Sequence, residues 1–199
     1  MFIALEGIDG SGKSTLAHAL AERLKEHFGA ESVVLTREPT DQSAWGRRLR
    51  DSARVGRLSR EEEIEHFHKD RLHHLETVVK PALAAGKIVV TDRYVDSLLA
   101  YQARDPKDAD RLYATMEREL VVPDLVLLLE ISPRAALARI GEKREGRTSF
   151  EQTTTLKRAA EIYASRVGAR YHRLDATQAP KAVLDQALAA VDAKLKHAS

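Results

Sequence analysis

Residues Gly7-Ile8-Asp9-Gly10-Ser11-Gly12-Lys13-Ser14 match the pattern Gly-x-x-x-x-Gly-Lys-Ser/Thr at every specified position. The octapeptide leaves a short apolar run, Phe2 to Leu5, and enters the stretch Lys13 to Phe28, where Leu16, Leu20, Leu24 and Phe28 recur every fourth residue. A strand, a glycine-rich turn and an amphipathic helix in that order give the context of a phosphate-binding loop. The glycines let the backbone curl so that successive N–H groups point inward, and the helix N-terminus adds favourable partial charge for an anion. Lys13 is expected to reach the β- and γ-phosphates of a nucleotide, and the Ser14 hydroxyl to ligate Mg²⁺, with Thr15 closing the nucleotide-binding run. A loop of this kind names the ligand class and leaves the reaction open.

The rest of the chain repeats the same alternation. Ser32–Thr36, Ile88–Thr91 and Leu125–Ile131 are near-continuous apolar runs, which suits strands covered on both faces, and Tyr171–Leu174 is a weaker fifth. Between them lie helical stretches, the longest from Glu61 to Ala85, with Pro81 placed to kink or divide it. Ser132-Pro133 and Pro180 open two further helices. The reading is an α/β fold: one domain over residues 1–199, a five-stranded parallel sheet with helices on both faces. Composition agrees. In 199 residues, 32 Lys and Arg face 30 Asp and Glu, a formal charge of only +2 that is weak evidence for nucleic acid, and the absence of cysteine excludes thiolate chemistry and disulfides. The apolar run at the N-terminus stops at Glu6 without a preceding basic region, and no apolar stretch of about 18 residues occurs, so a cytoplasmic protein off the membrane is expected.

Three clusters suggest a second phosphorylated ligand. Arg37-Glu38-Pro39-Thr40 and Asp92-Arg93-Tyr94 directly follow predicted strands, where ligands sit in parallel sheets. Phe67 and Arg71 lie four apart on one helix face. Arginine holds two phosphate oxygens at once, phenylalanine stacks on a base, and Asp92 stands where the carboxylate around a magnesium ion belongs. Adjacent charges at Arg37 and Glu38 also suit a surface ion pair, and Phe67 alone suits a core position. Two arginines at adjacent strand ends, facing a phosphate-binding loop, favour an enzyme that handles two phosphorylated ligands.

With these motifs the chain resembles the thymidylate kinases. Glu-Gly-Ile-Asp-Gly-Ser-Gly-Lys-Ser-Thr, Thr-Arg-Glu-Pro, Phe-x-x-x-Arg, Asp-Arg-Tyr-Val-Asp-Ser-x-x-Ala-Tyr-Gln, Pro-Asp-Leu and Asp-Ala-Thr occur in that family's order, from Phe2 to about Ala189. The resemblance implies a P-loop nucleoside monophosphate kinase-like fold and transfer of the γ-phosphoryl of ATP, with Mg²⁺, to deoxythymidine monophosphate. It implies that Arg37 and Arg93 hold the acceptor phosphate, that Phe67 stacks on thymine and that Arg71 contacts a thymine oxygen. Asp9 would lie near the acceptor sugar and phosphate, Tyr101 would crowd the 2′ position, and Asp92 would act around the magnesium. A mobile lid is implied at about 141–150. Ser11 occupies the loop position where one branch carries a basic residue, so Arg139, Arg144 and Arg147 would supply charge at the transferred phosphoryl, as in the lid-arginine branch. A homodimer through helices is also implied.

Three departures from the family pattern stand out. Leu98 replaces a hydrogen-bonding side chain, which opens the identity of the base and leaves Ser97 or Gln102 to compensate. Thr40 replaces a glycine, and Ala103–Arg111 is charged where glycines are usual; both are expected to affect loop shape only. Of the eight histidines, His66, His68, His73 and His74 gather around Phe67, and most are read as solvated. The alternatives are the same transfer to another deoxynucleoside monophosphate, or a quiet P-loop nucleotide sensor. A switch GTPase would need Asn-Lys-x-Asp, which is absent.

Overall fold

A computed structural model describes residues 1–56, 58–141 and 149–196. Five strands, β1 (Phe2–Gly7), β2 (Val33–Arg37), β3 (Ile88–Asp92), β4 (Leu125–Glu130) and β5 (Tyr171–Asp175), form one parallel sheet in the order β2-β3-β1-β4-β5. Each expected strand is present, and most continue a residue or two further at their C-terminal ends. Alternate residues of the central strand enter different cores. Phe2 and Ala4 pack with helix residues such as Phe67, Leu99 and Ile162, while Ile3 and Leu5 pack with Leu16 and Leu20 of one helix and Val183 and Val191 of another. Both faces of the sheet are thus covered, as near-continuous apolar strands require.

The helices are α1 (Lys13–Phe28), α2 (Ala44–Val55), α3 (Arg60–His74), α4 (Lys80–Ala84), α5 (Val95–Gln102), α6 (Pro106–Met116), α7 (Pro133–Ile140), α8 (Ser149–Ser165) and α9 (Pro180–Lys196). The long helix expected from Glu61 to Ala85 is divided, but upstream of Pro81: residues Leu75–Val79 form a π-helical turn between α3 and α4. Proline lacks an N–H and its ring crowds the carbonyl four residues earlier, so the preceding turn widens, and the Lys80 N–H reaches back to the Leu75 carbonyl.

Two of the departures do more than shape loops. The Thr40 N–H and hydroxyl both donate to the buried carboxylate of Asp70, at 2.7 and 2.6 Å, and Ser43 adds a third bond at 2.6 Å, which ties the segment after β2 to α3. The charged segment after Ala103 contains α6, with Asp105 as its N-cap and Asp108 paired to Arg60, Arg104 and Arg111. Gly141 ends α7, and residues 142–148, which hold Arg144, Arg147 and most of the expected lid, lie outside the described residues.

Candidate active site

The sheet order makes β1 the pivot: the chain leaves it for β2 and β3 on one side and crosses to β4 and β5 on the other. A crevice at the C-terminal edge of such a pivot is where ligands of parallel α/β sheets bind. The loop after β1 occupies it. Gly12 adopts φ +99° as the N-cap of α1, a left-handed conformation that an L side chain seldom takes. Gly10 is constrained by space as well, because a Cβ there would lie 2.4 Å from the carbonyl oxygen of Ala136 in α7.

Lys13 is 4 % exposed, and its ammonium donates to the Ile8 carbonyl at 2.9 Å, back across the loop. Burial, with the Arg93 charge adding to it, pushes its pKa down to about 7 against the pull of Asp9, Asp92 and Glu6. The Ser14 hydroxyl donates to one oxygen of Asp92, whose other oxygen is buried without a hydrogen-bond partner. The strand register explains the meeting: β3 ends with Asp92 opposite Leu5 of β1 on one side and Arg37 of β2 on the other.

Arg93 follows at φ +76°, the one non-glycine residue with a positive φ among the described residues. Its guanidinium pairs with Asp9, donates to the Ser97 hydroxyl at 3.1 Å and lies 5.6 Å from the centre of the Tyr101 ring. Burial acts against the charge, but Asp9 and the other surrounding groups outweigh it and hold the pKa of the guanidinium above its usual value. The Tyr101 hydroxyl in turn accepts the Asp9 N–H at 2.8 Å. A cavity of about 360 Å³ is lined by Asp9, Lys13, Ser14 and Arg93 together, with Gly10, Gly12, Thr15 and Ile140. Residues expected to serve two different phosphorylated ligands therefore face one space.

A second cluster lies at the end of β2. Glu38 is buried, and one of its oxygens takes both the Nε and an Nη of Arg71 at 2.8 Å, while the other meets the Nδ1 of His74 at 3.0 Å. The surface-pair reading of Glu38 does not hold: its partners are buried and come from α3. Its neighbour Arg37 is more than half exposed and lies 3.6 Å from Asp41. Arg71 is 1 % exposed, its remaining Nη has no partner, and its guanidinium sits 5.1 Å from the centre of the Tyr94 ring. Phe67, one turn earlier on α3, is half-buried against the core. Glu38–Pro39 is a cis peptide.

Some expectations are redirected. Leu98 is 2 % exposed and belongs to the apolar core, so it presents almost no surface to a ligand. Neither proposed compensator is free: Ser97 gives its hydroxyl proton to Glu6, and Gln102 donates to Glu63 at 2.6 Å. His74, one of a group of histidines read as mostly solvated, is fully buried and spans Glu38 and the Thr36 hydroxyl, the latter at 2.7 Å. Among the described residues no group of three or more His, Cys, Asp or Glu forms a metal cluster. Sequence reasoning missed Glu6, Tyr163 of α8, and Arg158, whose Nη2 donates to the Tyr101 carbonyl at 3.4 Å. The arginine-to-tyrosine spacing on α8 gave no motif to find them by. Among the described residues no helix is long and apolar enough to cross a membrane.

The sheet, the loop and the facing arginine define a P-loop phosphotransferase of the nucleotide kinase class. Comparison with known proteins narrows the class. The Thymidylate kinase family model matches residues 5–187. Thymidylate kinase of Xanthomonas campestris pv. campestris (strain B100) is 43 % identical over 195 residues, covering 98 % of this chain and 84 % of its own. That of Xylella fastidiosa (strain 9a5c) is 39 % identical over 193 residues, covering 96 % and 90 %. The crystal structure of thymidylate kinase from Ehrlichia chaffeensis superimposes with a TM-score of 0.73 at 28 % identity, over 96 % of this chain and 98 % of that one. The chain belongs to the thymidylate kinase family.

Proposed function

We propose that the protein transfers the γ-phosphoryl group of ATP to deoxythymidine monophosphate, releasing ADP and the deoxythymidine diphosphate. Membership of the family supplies the reaction. The observation that carries the assignment of roles is the shared cavity: Lys13 on the donor loop and Arg93 after β3 open onto the same space. Phosphoryl transfer asks a protein for positioning and for charge at the transferred group, and two cations on one cavity meet that demand. In this reading the loop from Gly7 to Thr15 binds the donor phosphates, and Lys13 neutralises charge on the group in transit. Arg93, braced by Asp9, holds the acceptor phosphate, and the exposed Arg37 swings from Asp41 onto it. Phe67 offers its ring for stacking and Tyr101 crowds the sugar, while Arg71, whose remaining Nη is buried and unpartnered in this structure, would donate to a carbonyl of the base only once binding uncovers it.

Mg²⁺ fits the residues present. Ser14 Oγ and Asp92 are adjacent, and the orphaned Asp92 oxygen is the kind of buried acceptor that a hydrated cation satisfies. Bound there, the ion would neutralise charge on the donor phosphates. Ser11 in the loop supports the lid-arginine branch, in which Arg139, exposed at the end of α7, acts with Arg144 and Arg147 of a lid at about 141–150. Dimerisation through helices, which the family resemblance suggests, is checked by analytical ultracentrifugation.

The experiment is a coupled ADP-release assay with ATP, Mg²⁺ and each deoxy- and ribonucleoside monophosphate in turn. The highest kcat/KM should fall on deoxythymidine monophosphate. A higher value on another monophosphate would transfer the acceptor assignment, and inactivity on all of them would leave a nucleotide sensor.

A further inference from the structure

Glu6 has no part in the reading above, yet it is 0 % exposed in β1, one residue before the loop, and accepts four hydrogen bonds. One oxygen takes the N–H of Tyr94 at 2.8 Å and that of Ser97 at 3.1 Å. The other takes the Ser97 hydroxyl and the Tyr163 hydroxyl, the latter at 2.9 Å. Burial and the nearby Asp96 push its pKa up to about 7 against these bonds and the Arg93 charge, so the four donors hold it as a carboxylate above that pH. The identity of its partners matters more than their number, because Tyr94 adjoins Arg93 in the chain and the Ser97 hydroxyl accepts from the Arg93 guanidinium.

Tyr94 is the N-cap of α5 and brings no side-chain cap of its own. Glu6 reaches across from the neighbouring strand and caps that helix, satisfying two N–H groups at its positive end. The preceding residue is Arg93, whose left-handed backbone is pinned by its own N–H on the Leu5 carbonyl at 3.0 Å and by the Thr91 hydroxyl on its carbonyl at 2.9 Å. Glu6 fixes that last peptide from its other end, through the Tyr94 N–H. It also sets a hydroxyl: Ser97 gives its one proton to Glu6, which turns an oxygen lone pair toward the Nη1 of Arg93. Without that acceptor the hydroxyl is held only by the Tyr163 hydroxyl, 3.0 Å away, and its lone pair is no longer fixed on the guanidinium.

We propose that Glu6 is a positioning residue for acceptor binding, which caps α5 and orients the Ser97 hydroxyl so that the Arg93 guanidinium is aimed into the cavity it shares with Lys13. The inference rests on the reading of Arg93 as the holder of the acceptor phosphate.

The test is steady-state kinetics in which ATP and deoxythymidine monophosphate are varied separately, on Glu6→Gln, Ser97→Ala, the double variant and Arg93→Lys. Glu6→Gln and Ser97→Ala should each raise the acceptor KM about tenfold while leaving the ATP KM within about twofold. Because the two cut one chain of contacts, the double variant should be no more than about twofold worse than the worse single variant. Multiplying effects in the double variant would show that Glu6 and Ser97 act separately and would overturn the proposal. So would a Glu6→Gln variant that moves both KM values equally or neither. Should Glu6→Gln fail to fold, Ser97→Ala decides alone: an unchanged acceptor KM overturns the proposal, and a selective rise supports it. An unchanged acceptor KM in Arg93→Lys would instead refute the role of Arg93, and the inference with it.

Discussion

Replacing Glu38 by Ala should destabilise the fold by about 3–5 kcal/mol, because it strands a buried guanidinium. The geometry sets that size. Arg71 is 1 % exposed, and two of its three nitrogens are spent on Glu38 at 2.8 Å. Truncation at Glu38 leaves all three nitrogens without a carboxylate in a site that water does not reach, and it also removes the partner of the His74 Nδ1. For a chain of this length such a loss lowers Tm by roughly 6–20 °C, at about 2–4 °C per kcal/mol. Urea unfolding followed by far-ultraviolet circular dichroism measures it, with the slope expected to stay near wild type and the midpoint to fall. The paired variant Glu38→Leu with Arg71→Met, which removes both charges and keeps apolar volume, should recover at least about 2 kcal/mol relative to Glu38→Ala. A loss below about 1 kcal/mol in Glu38→Ala would show that Arg71 is solvated in solution and would refute the reasoning.

Three further outcomes are expected. Lys13→Ala should lower kcat by at least about a hundredfold with the fold intact, since Lys13 acts on charge in the transition state, and near-normal turnover would remove it from the chemistry. ATP binding should take up about one proton at pH 8, because the Lys13 pKa near 7 leaves the free amine mostly neutral there and a bound polyanion restores its charge. The uptake should shrink toward zero by about pH 6, where the ammonium is already formed; calorimetry in buffers of different ionisation enthalpy reads it, and no uptake at pH 8 would contradict the buried amine. Arg37→Ala should lower kcat/KM for the monophosphate by roughly tenfold to a hundredfold, about 1.4–3 kcal/mol, with the ATP KM unchanged. A fall in ATP affinity instead would place Arg37 on the donor side.

The parts of the site that were legible in the sequence are those encoded locally. The loop from Gly7 to Ser14 announces itself by spacing, and Asp92 and Arg93 by their position after an apolar strand. What stayed hidden is held by contacts between distant residues. Glu6 reads as the end of an apolar run, and its meaning comes from Ser97, 91 residues away, and Tyr163, 157 away. His74 reads as one of a group of histidines on a polar helix, until the helix turns it onto Glu38 and Thr36. Helix α2 carries four arginines and few large apolar residues, so its start at the Ser43 cap, which accepts the Gly46 N–H, was not apparent. Leu98 was read as a base contact from its neighbours in the motif, whereas helix α5 turns it into the core.

On the proposed reading, ATP and deoxythymidine monophosphate meet in one cavity and one phosphoryl group passes between them. Phosphorus NMR of the wild-type protein with ATP, Mg²⁺ and deoxythymidine monophosphate observes that exchange without coupling enzymes. The expected spectrum gains the resonances of ADP and of the deoxythymidine diphosphate in equal amounts, with no inorganic phosphate. Inorganic phosphate growing in step with ADP, while the monophosphate signal stays unchanged, would contradict transfer and leave only hydrolysis.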